Sequence, residues 1–420
     1  MADKYVVSPL APPEGFPVLP LIKGVRLATA TAGIKYSRTD VMLATINPVS
    51  AVAGVFTQSS TRSAAVIDCE RKLHKIADSE NSLPEEIAVL VNSGNANAFT
   101  GRAGEDAVKE VSCQTAKLLG LDENSVFTAS TGVIGEPLAF GKITRVLAEL
   151  KNNLSENNLK DAGQAIMTTD TFPKGAGTVV DFSDKPVAIS GIAKGSGMIA
   201  PDMATMLAYV FTDANIDQAT LQSMVSELTE ITFNSVSVDG DTSTSDTFMV
   251  AATGLAGNKK IVDQETSDAR KFKAGLQSVM MSLAQQIARD GEGATKFVEI
   301  SVVGAENNSD AKKVAKSIAN SPLVKTAISG EDPNWGRVVM AVGKSGAKAD
   351  RDLLAIGFGN ILVAENGQVA DSYKEELGQD YMKRQEILIT VDLGLGKGSS
   401  RFWTCDFSHG YISINADYRS

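Results

Sequence analysis

The sequence predicts a mixed fold of helices and strands, α/β or α+β, arranged in two units. Three observations carry that expectation. Segments of strand and helix character alternate along the chain, and 420 residues exceed what one hydrophobic core usually holds. In addition, a glycine-rich turn, Asp290-Gly291-Glu292-Gly293, separates a long helical stretch from a β-rich one.

Strand candidates are Ile87 to Val91, Phe297 to Val303 and Glu386 to Val391, short apolar runs rich in β-branched residues. Helix candidates are Glu105 to Leu119, Ile143 to Leu154 with Pro137 shortly before it, Asp217 to Ile231, Ser267 to Arg289, and Ser309 to Ser321 closed off by Pro322. The boundary falls at Gly291 to Thr295. Residues 1–295 then form the larger unit and 296–420 a smaller C-terminal one of ordinary domain size. Gly195 to Pro201 makes a second punctuation near mid-chain, and no internal repeat or low-complexity tract interrupts the pattern.

With 43% hydrophobic and 21% charged residues, the composition is that of a globular protein rather than a fibre or a disordered chain. The net charge of −10, without a local basic patch, argues against nucleic acid and anionic lipid as partners. Met1 to Gly15 contains no apolar core of signal-peptide type, and no run of about eighteen apolar residues occurs, so a cytosolic location is expected. Cys69, Cys113 and Cys405 are odd in number and far apart, which fits reduced, buried and inert thiols. Asn153 and Asn307 open glycosylation sequons that, without secretion, are chance matches.

Several familiar chemistries are excluded by residue type. His74 and His409 are the only histidines, too few for a histidine base or a histidine-rich metal site, and Cys405 with His409 forms one C-x-x-x-H pair without a second; no metal is expected. Gly343-Lys344-Ser345 ends like a phosphate loop, yet Val338 stands where its first glycine belongs. Gly394, Gly396 and Gly398 around Lys397 read as a turn between strands. Ser196, within Lys194-Gly195-Ser196-Gly197, is not the serine of a G-x-S-x-G elbow.

The most informative stretch runs from Lys194 to Asp213 and divides at Thr205. Two glycines, Pro201 and small side chains precede it; Met206 to Phe211 after it form an apolar run suited to a buried strand. A threonine where a bendable loop enters a rigid element can bring its hydroxyl against the preceding carbonyl, that of Ala204. An N-to-O acyl shift and hydrolysis would then create a chain starting at Thr205. Its α-amine, with an ordinary pKa of about 7.7–8.0, would serve as base for its own hydroxyl and needs no histidine. On spacing alone, a purely structural threonine remains the competing interpretation.

This segment, together with Val91-Asn92-Ser93-Gly94-Asn95-Ala96-Asn97-Ala98, Ser130-Thr131-Gly132-Val133-Ile134-Gly135, Met167 to Thr171, Asp239 to Asp246 and Gly330 to Arg337, closely resembles the ornithine acetyltransferase (glutamate N-acetyltransferase) family, the bifunctional enzymes of arginine biosynthesis. The resemblance spans essentially the whole chain. It implies an α+β fold, a layered α/β sandwich like that of N-terminal-nucleophile hydrolases by convergence, with a smaller C-terminal α+β domain. It further implies cleavage between Ala204 and Thr205, Thr205 as nucleophile, and an oxyanion hole from Thr131 and Gly132. Thr168, Lys194, Thr205, Glu292, Asn415 and Ser420 match the substrate-contacting positions, Ser420 standing where a threonine is frequent. Without the family, Thr131-Gly132 would be a turn after a strand, Lys194 a solvated cation and Glu292 a polar helix terminus.

The implied reaction is ping-pong: Thr205 takes acetyl from N-acetylornithine and passes it to glutamate. No cofactor is required, and the named residues leave open whether acetyl-CoA is also a substrate. Chains Met1 to Ala204 and Thr205 to Ser420 are expected to stay together as a heterotetramer of two copies of each. Two other readings compete: a self-processing aminopeptidase or amidase, in which water discharges the acyl group, and an uncut metabolite-binding protein.

Overall fold

The computed structural model describes residues 6–35, 37–78, 83–200 and 206–416 of the chain. Three sheets organise it. The first half supplies β1 (Val25–Ala30), β2 (Val41–Ile46), β3 (Ala51–Phe56), β4 (Ile87–Asn95), β5 (Val126–Val133), β6 (Lys174–Asp181) and β7 (Pro186–Lys194). The second half supplies β8 (Leu207–Thr212), β9 (Thr247–Ala252), β10 (Phe297–Ala305), β11 (Ala355–Phe358), β12 (Ile361–Glu365), β13 (Gln368–Val369), β14 (Glu386–Asp392) and β15 (Gly398–Cys405). Helices are α1 (Ala64–Asp78), α2 (Gly101–Leu119), α3 (Phe140–Asn152), α4 (Leu159–Ala165), α5 (Gln218–Ile231) and α6 (Ser267–Arg289). They continue with α7 (Asn308–Ala319), α8 (Pro322–Ser329), α9 (Trp335–Gly343), α10 (Glu375–Met382) and α11 (His409–Ala416).

The first sheet has strand order β1-β2-β4-β5 and the second β3-β9-β8-β7-β6. Period-two alternation makes each of them two-faced. On β2, Met42, Ala44 and Ile46 point into a core shared with the second sheet, while Val41 and Leu43 meet α2 and α3. On β8, Leu207, Tyr209 and Phe211 enter the shared core, and Ala208 and Val210 pack under α5 and α6. The result is a helix-sheet-sheet-helix sandwich, an α+β fold, with α1 and α4 adding apolar side chains to the gap between the sheets. Because β8 is buried on both faces along its whole length, its uninterrupted apolar run has a physical cause.

The third sheet, order β13-β12-β11-β14-β10-β15, carries its own core against α7, α8 and α9. Phe297, Trp403 and Cys405 from two of its strands also reach the core under α6. Two expectations need correction. Pro322 does not merely stop a helix: Ser321 caps a new one, accepting from the Val324 N–H, and Pro322 takes the first-turn position where a missing N–H is harmless. Cys69 and Cys405 are buried, but Cys113 is exposed, lying on the outer face of α2.

Candidate active site

The strand register gathers the site. Antiparallel pairing sets Lys194, the last residue of β7, opposite Leu207, and parallel pairing sets Leu207 beside Thr247. Three strand ends of the second sheet therefore meet where the chain emerges from residues 201–205. Facing them is the end of β5, which carries Thr131 and Gly132.

The segment Val91 to Ala98 shapes that end. The ladder between β4 and β5 shifts register at Gly94 and Asn95, a bulge that bends the strand pair. The Ser130 hydroxyl donates to Asn92 Oδ1 at 2.7 Å, Asn92 Nδ2 donates to the Asn95 carbonyl at 3.0 Å, and the Ala96 N–H donates to the Val133 carbonyl at 2.9 Å. Gly132 has φ +134°, and a Cβ there would lie 2.4 Å from the Gly94 carbonyl carbon. Only glycine fits this position.

A cavity of about 250 Å³ opens between these ends, lined by Thr131, Gly132, Thr168, Lys194, Met198, Ser243 to Ser245, Glu292 and Asn415, among others. Its volume lies slightly below the range of drug-sized pockets, about 300–1,000 Å³, and suits a small metabolite. The structure thus brings together Thr131, Gly132, Thr168, Lys194, Glu292 and Asn415. Ala204, Thr205 and Ser420 lie outside the described residues.

Lys194 is the electrostatic centre. Its ammonium donates to Thr131 Oγ1 at 3.0 Å and Thr168 Oγ1 at 3.2 Å, and among the described residues it forms no ion pair. Burial lowers its proton affinity, while the more distant Asp170, Asp246 and Glu292 carboxylates raise it and Lys174 lowers it further. A buried cation short of a counter-ion is a receptor for an anionic ligand. Since Lys194 donates to the Thr131 oxygen, the Thr131 proton must point elsewhere, and the cavity lies in front of it.

Glu292 faces Lys194 across the cavity. Its backbone N–H donates to the Ser196 carbonyl at 2.9 Å, and Asn415 Nδ2 on α11 donates to its Oε2 at 2.7 Å. Gly197 lies opposite and leaves room for it: a Cβ there would lie 2.4 Å from the Glu292 carboxylate and push it aside. The cavity therefore has a positive and a negative end, with hydroxyls between them.

A buried ionic triad underlies this arrangement, and sequence reasoning missed it. Lys174 Nζ lies 2.6 Å from both Asp170 Oδ1 and Asp290 Oδ2, all three side chains being fully buried. Asp170 also accepts the Gly195 N–H at 2.7 Å and the Thr168 N–H at 2.9 Å; Asp290 accepts the Thr171 N–H and hydroxyl. One triad thus holds the backbones next to Lys194, at Thr168 and near Glu292. Burial pushes the Asp290 carboxyl up, while Lys174 opposes that shift; Asp170 stays well below the carboxylate range because Lys174 and Lys194 outweigh its burial. The i, i+4 spacing of Asp170 and Lys174 was visible, but nothing pointed to Asp290, far along the chain.

Asp239 was also missed as an individual, although its motif was noted. Its carboxylate accepts the N–H groups of Met198 at 2.6 Å and Ile199 at 2.9 Å, pinning the loop before residue 201, where Met198 adopts φ +56°. Burial pushes its pKa up to about 6, offset in part by those backbone donors. Among the described residues no cluster of three or more His, Cys, Asp or Glu side chains is arranged to hold a metal, and no helix is long and apolar enough to cross a membrane.

Fold and site together define a class: a layered α+β enzyme whose small polar cavity sits at the convergence of internal strand ends. The ArgJ family model matches residues 26–420. An arginine biosynthesis bifunctional protein ArgJ from Ruegeria pomeroyi is 59% identical, with all of both chains covered; one from Brucella suis is 52% identical over 99% of each. A solved ArgJ structure from Bacillus halodurans is 44% identical over 49% of this chain and 96% of its own, with a TM-score of 0.48. The chain belongs to the ArgJ family.

Proposed function

We propose that this chain is a self-processing glutamate N-acetyltransferase of arginine biosynthesis, cut between Ala204 and Thr205 and carrying acetyl on Thr205. The supporting observation is one juxtaposition: a hydroxyl donor and an obligatory glycine at the end of β5 face a buried, counter-ion-poor lysine and a carboxylate, at the foot of the strand that follows Thr205. Family membership with relatives named for arginine biosynthesis points the same way.

In this reaction the Thr205 α-amine takes the proton from its own hydroxyl, and the oxygen attacks the acetamide of N-acetylornithine. The Thr131 hydroxyl and Gly132 N–H stabilise the tetrahedral oxyanion, where charge develops only at the transition state. Lys194 holds the substrate carboxylate, and Glu292 takes the δ-ammonium of ornithine. The acetamide C–N bond then breaks, ornithine leaving as its α-nitrogen takes the proton held by the Thr205 amine, and the α-amine of glutamate attacks the Thr205 ester, giving its proton back as the ester bond breaks. No cofactor takes part; acetyl-CoA is a candidate second donor. Residues 1–295 make the catalytic unit and 296–420 the C-terminal one, two copies of each chain assemble, and the enzyme is cytoplasmic.

Intact mass and terminal sequencing of the purified protein test the cut: two chains, the second starting at Thr205, are expected. Incubation with N-acetylornithine and glutamate should give N-acetylglutamate. Acetate released at one rate with or without glutamate would make the protein an amidase, and a single uncut chain would leave it a binding protein.

A further inference from the structure

Most of the cavity lining is polar. Its apolar part consists of Ala96, Val133 and Ile134, which adjoin Gly132, and of Met198, which follows Gly197 opposite Glu292. Ala96 and Val133 are only 3% and 5% exposed, yet among the described residues neither joins any of the four hydrophobic cores. Buried apolar side chains that face a cavity rather than a core offer a small apolar group of a ligand a place out of water.

Hydrogen bonds hold this patch rigid. The Ala96 N–H donates to the Val133 carbonyl at 2.9 Å, which ties Ala96 to the end of β5 directly after Gly132. On one side of Ala96, Asn95 Nδ2 donates to the Glu136 carbonyl at 3.0 Å, and Asn95 Oδ1 accepts the Asn97 N–H at 2.8 Å. On the other side the fully buried Asn97, held at φ +47°, donates through Nδ2 to the Gly104 carbonyl at 3.0 Å. The run Asn95-Ala96-Asn97 thus fixes one methyl group at the cavity wall, and neither neighbour can give way without breaking buried hydrogen bonds.

We infer that Ala96 is a specificity-determining residue: with Val133 it closes an acyl pocket beside the oxyanion donors and limits the transferred group to acetyl. The inference deepens the transferase reading above and rests on it. An acyl carbonyl whose oxygen accepts from Thr131 and Gly132 carries its alkyl group on the same carbon, so that group lies next to those donors. Lys194, bonded to Thr131, and Glu292 take the charged ends of the substrate, and neither suits a methyl group. The patch of Ala96 and Val133, continuous with Gly132 along β5, is the apolar surface beside the donors. An acetyl methyl fits against it, and each further methylene meets the Ala96 side chain and the fixed backbone behind it. One methylene too many or too few in an enzyme pocket changes kcat/KM by about 10–200-fold.

Donor selection tests this. The measurement is kcat/KM with N-formyl-, N-acetyl-, N-propionyl- and N-butyrylornithine, glutamate being the acceptor and the acylglutamate product being read by mass. Wild type should prefer acetyl to propionyl by about 10–200-fold. Ala96→Gly removes the methyl group from the wall and should cut that preference by about tenfold or more. Ala96→Val should depress acetyl transfer by a similar factor and spare formyl, while the nearly isosteric Ala96→Ser should keep the wild-type order. Each ratio is taken within one protein, so a general loss of stability or of processing divides out. Ratios that match wild type in both Ala96→Gly and Ala96→Val overturn the proposal. Should neither variant fold, Val133→Ala must shift the ratio toward propionyl, and an unchanged ratio there overturns the pocket; so does a wild type that transfers propionyl as well as acetyl. A wild type that yields no N-acetylglutamate from N-acetylornithine would instead sink the transferase reading itself.

Discussion

Thr131 can serve as an oxyanion donor because Lys194 supplies a proton to its oxygen and leaves its own hydrogen unclaimed. Thr131→Val keeps the shape and removes the donor. Steady-state kinetics should show kcat lower by about 10²–10³-fold with a smaller change in KM, as expected for a contact made at the transition state. Gly132 is a poorer probe than the family resemblance alone suggests, since any side chain there collides with the Gly94 backbone and a loss of activity would report misfolding. Asp239 offers a stability test. Its folded pKa, raised to about 6 from an ordinary 3.8, means the folded state binds the proton more tightly than the unfolded one. The charged form is therefore penalised, the penalty being absent well below pH 4 and complete above pH 6. Asp239→Asn escapes it, so its stability relative to wild type should improve by about 2 kcal/mol between pH 4.5 and 7.5 in denaturant unfolding. A difference that stays flat with pH would mean the loop donors fully offset the burial of the carboxylate.

The edge of the second sheet is closed by side chains rather than by a strand. On α5, Gln218 accepts the Val52 N–H at 2.9 Å and donates to its carbonyl at 2.6 Å, and Gln222 does the same for Gly54 at 3.1 Å each way. Two amides one helical turn apart thus imitate a neighbouring strand along β3 and block pairing with another chain. Gln218→Ala should lower stability by about 1–3 kcal/mol, because Val52 is fully buried and its polar groups lose their partners. Thermal unfolding measures the loss, and light scattering should reveal association through the opened edge. Sequence patterning could not foresee this pairing, which joins residues more than 160 positions apart. Patterning did find the long amphipathic helices: the predicted Ser267 to Arg289 is α6, and Asp217 proves to be the cap of α5. Many strands escaped it, among them β1 and β3, whose alanine-rich VRLATA and AVAGVF carry little of the bulk that marks a strand. At the cavity, Thr131, Thr168, Lys194, Glu292 and Asn415 were legible only through motifs. The acids behind them, Asp170 and Asp290, acquire their roles from neighbours that folding alone supplies.

Across the whole molecule, the order of strands in the second sheet constrains what a cut at Thr205 can do. In β3-β9-β8-β7-β6, β3, β7 and β6 precede position 205, and β9 and β8 follow it. The two strands after that position are therefore clasped on both sides by strands from before it. Leu207, Tyr209 and Phe211 are buried against the first sheet, which comes entirely from the part before position 205, and Ala208 and Val210 lie under α6 from the part after it. The ionic triad also straddles that position, with Asp170 and Lys174 before it and Asp290 after it. Separating the chains would strip both faces of β8 and leave a buried Lys174 short of one carboxylate, a loss of about 3–5 kcal/mol from the triad alone. The cut protein is thus expected to elute as one species under native conditions, to resolve into two chains only in denaturant, and to unfold in a transition that moves both chains together. Lys174→Met should weaken that union, lowering the denaturant midpoint of the cut protein and perturbing the cavity, since Thr168 and Gly195 hang from Asp170. Native separation of the wild-type chains, or independent transitions for each, would show that the interleaved sheet does not hold them as its strand order demands.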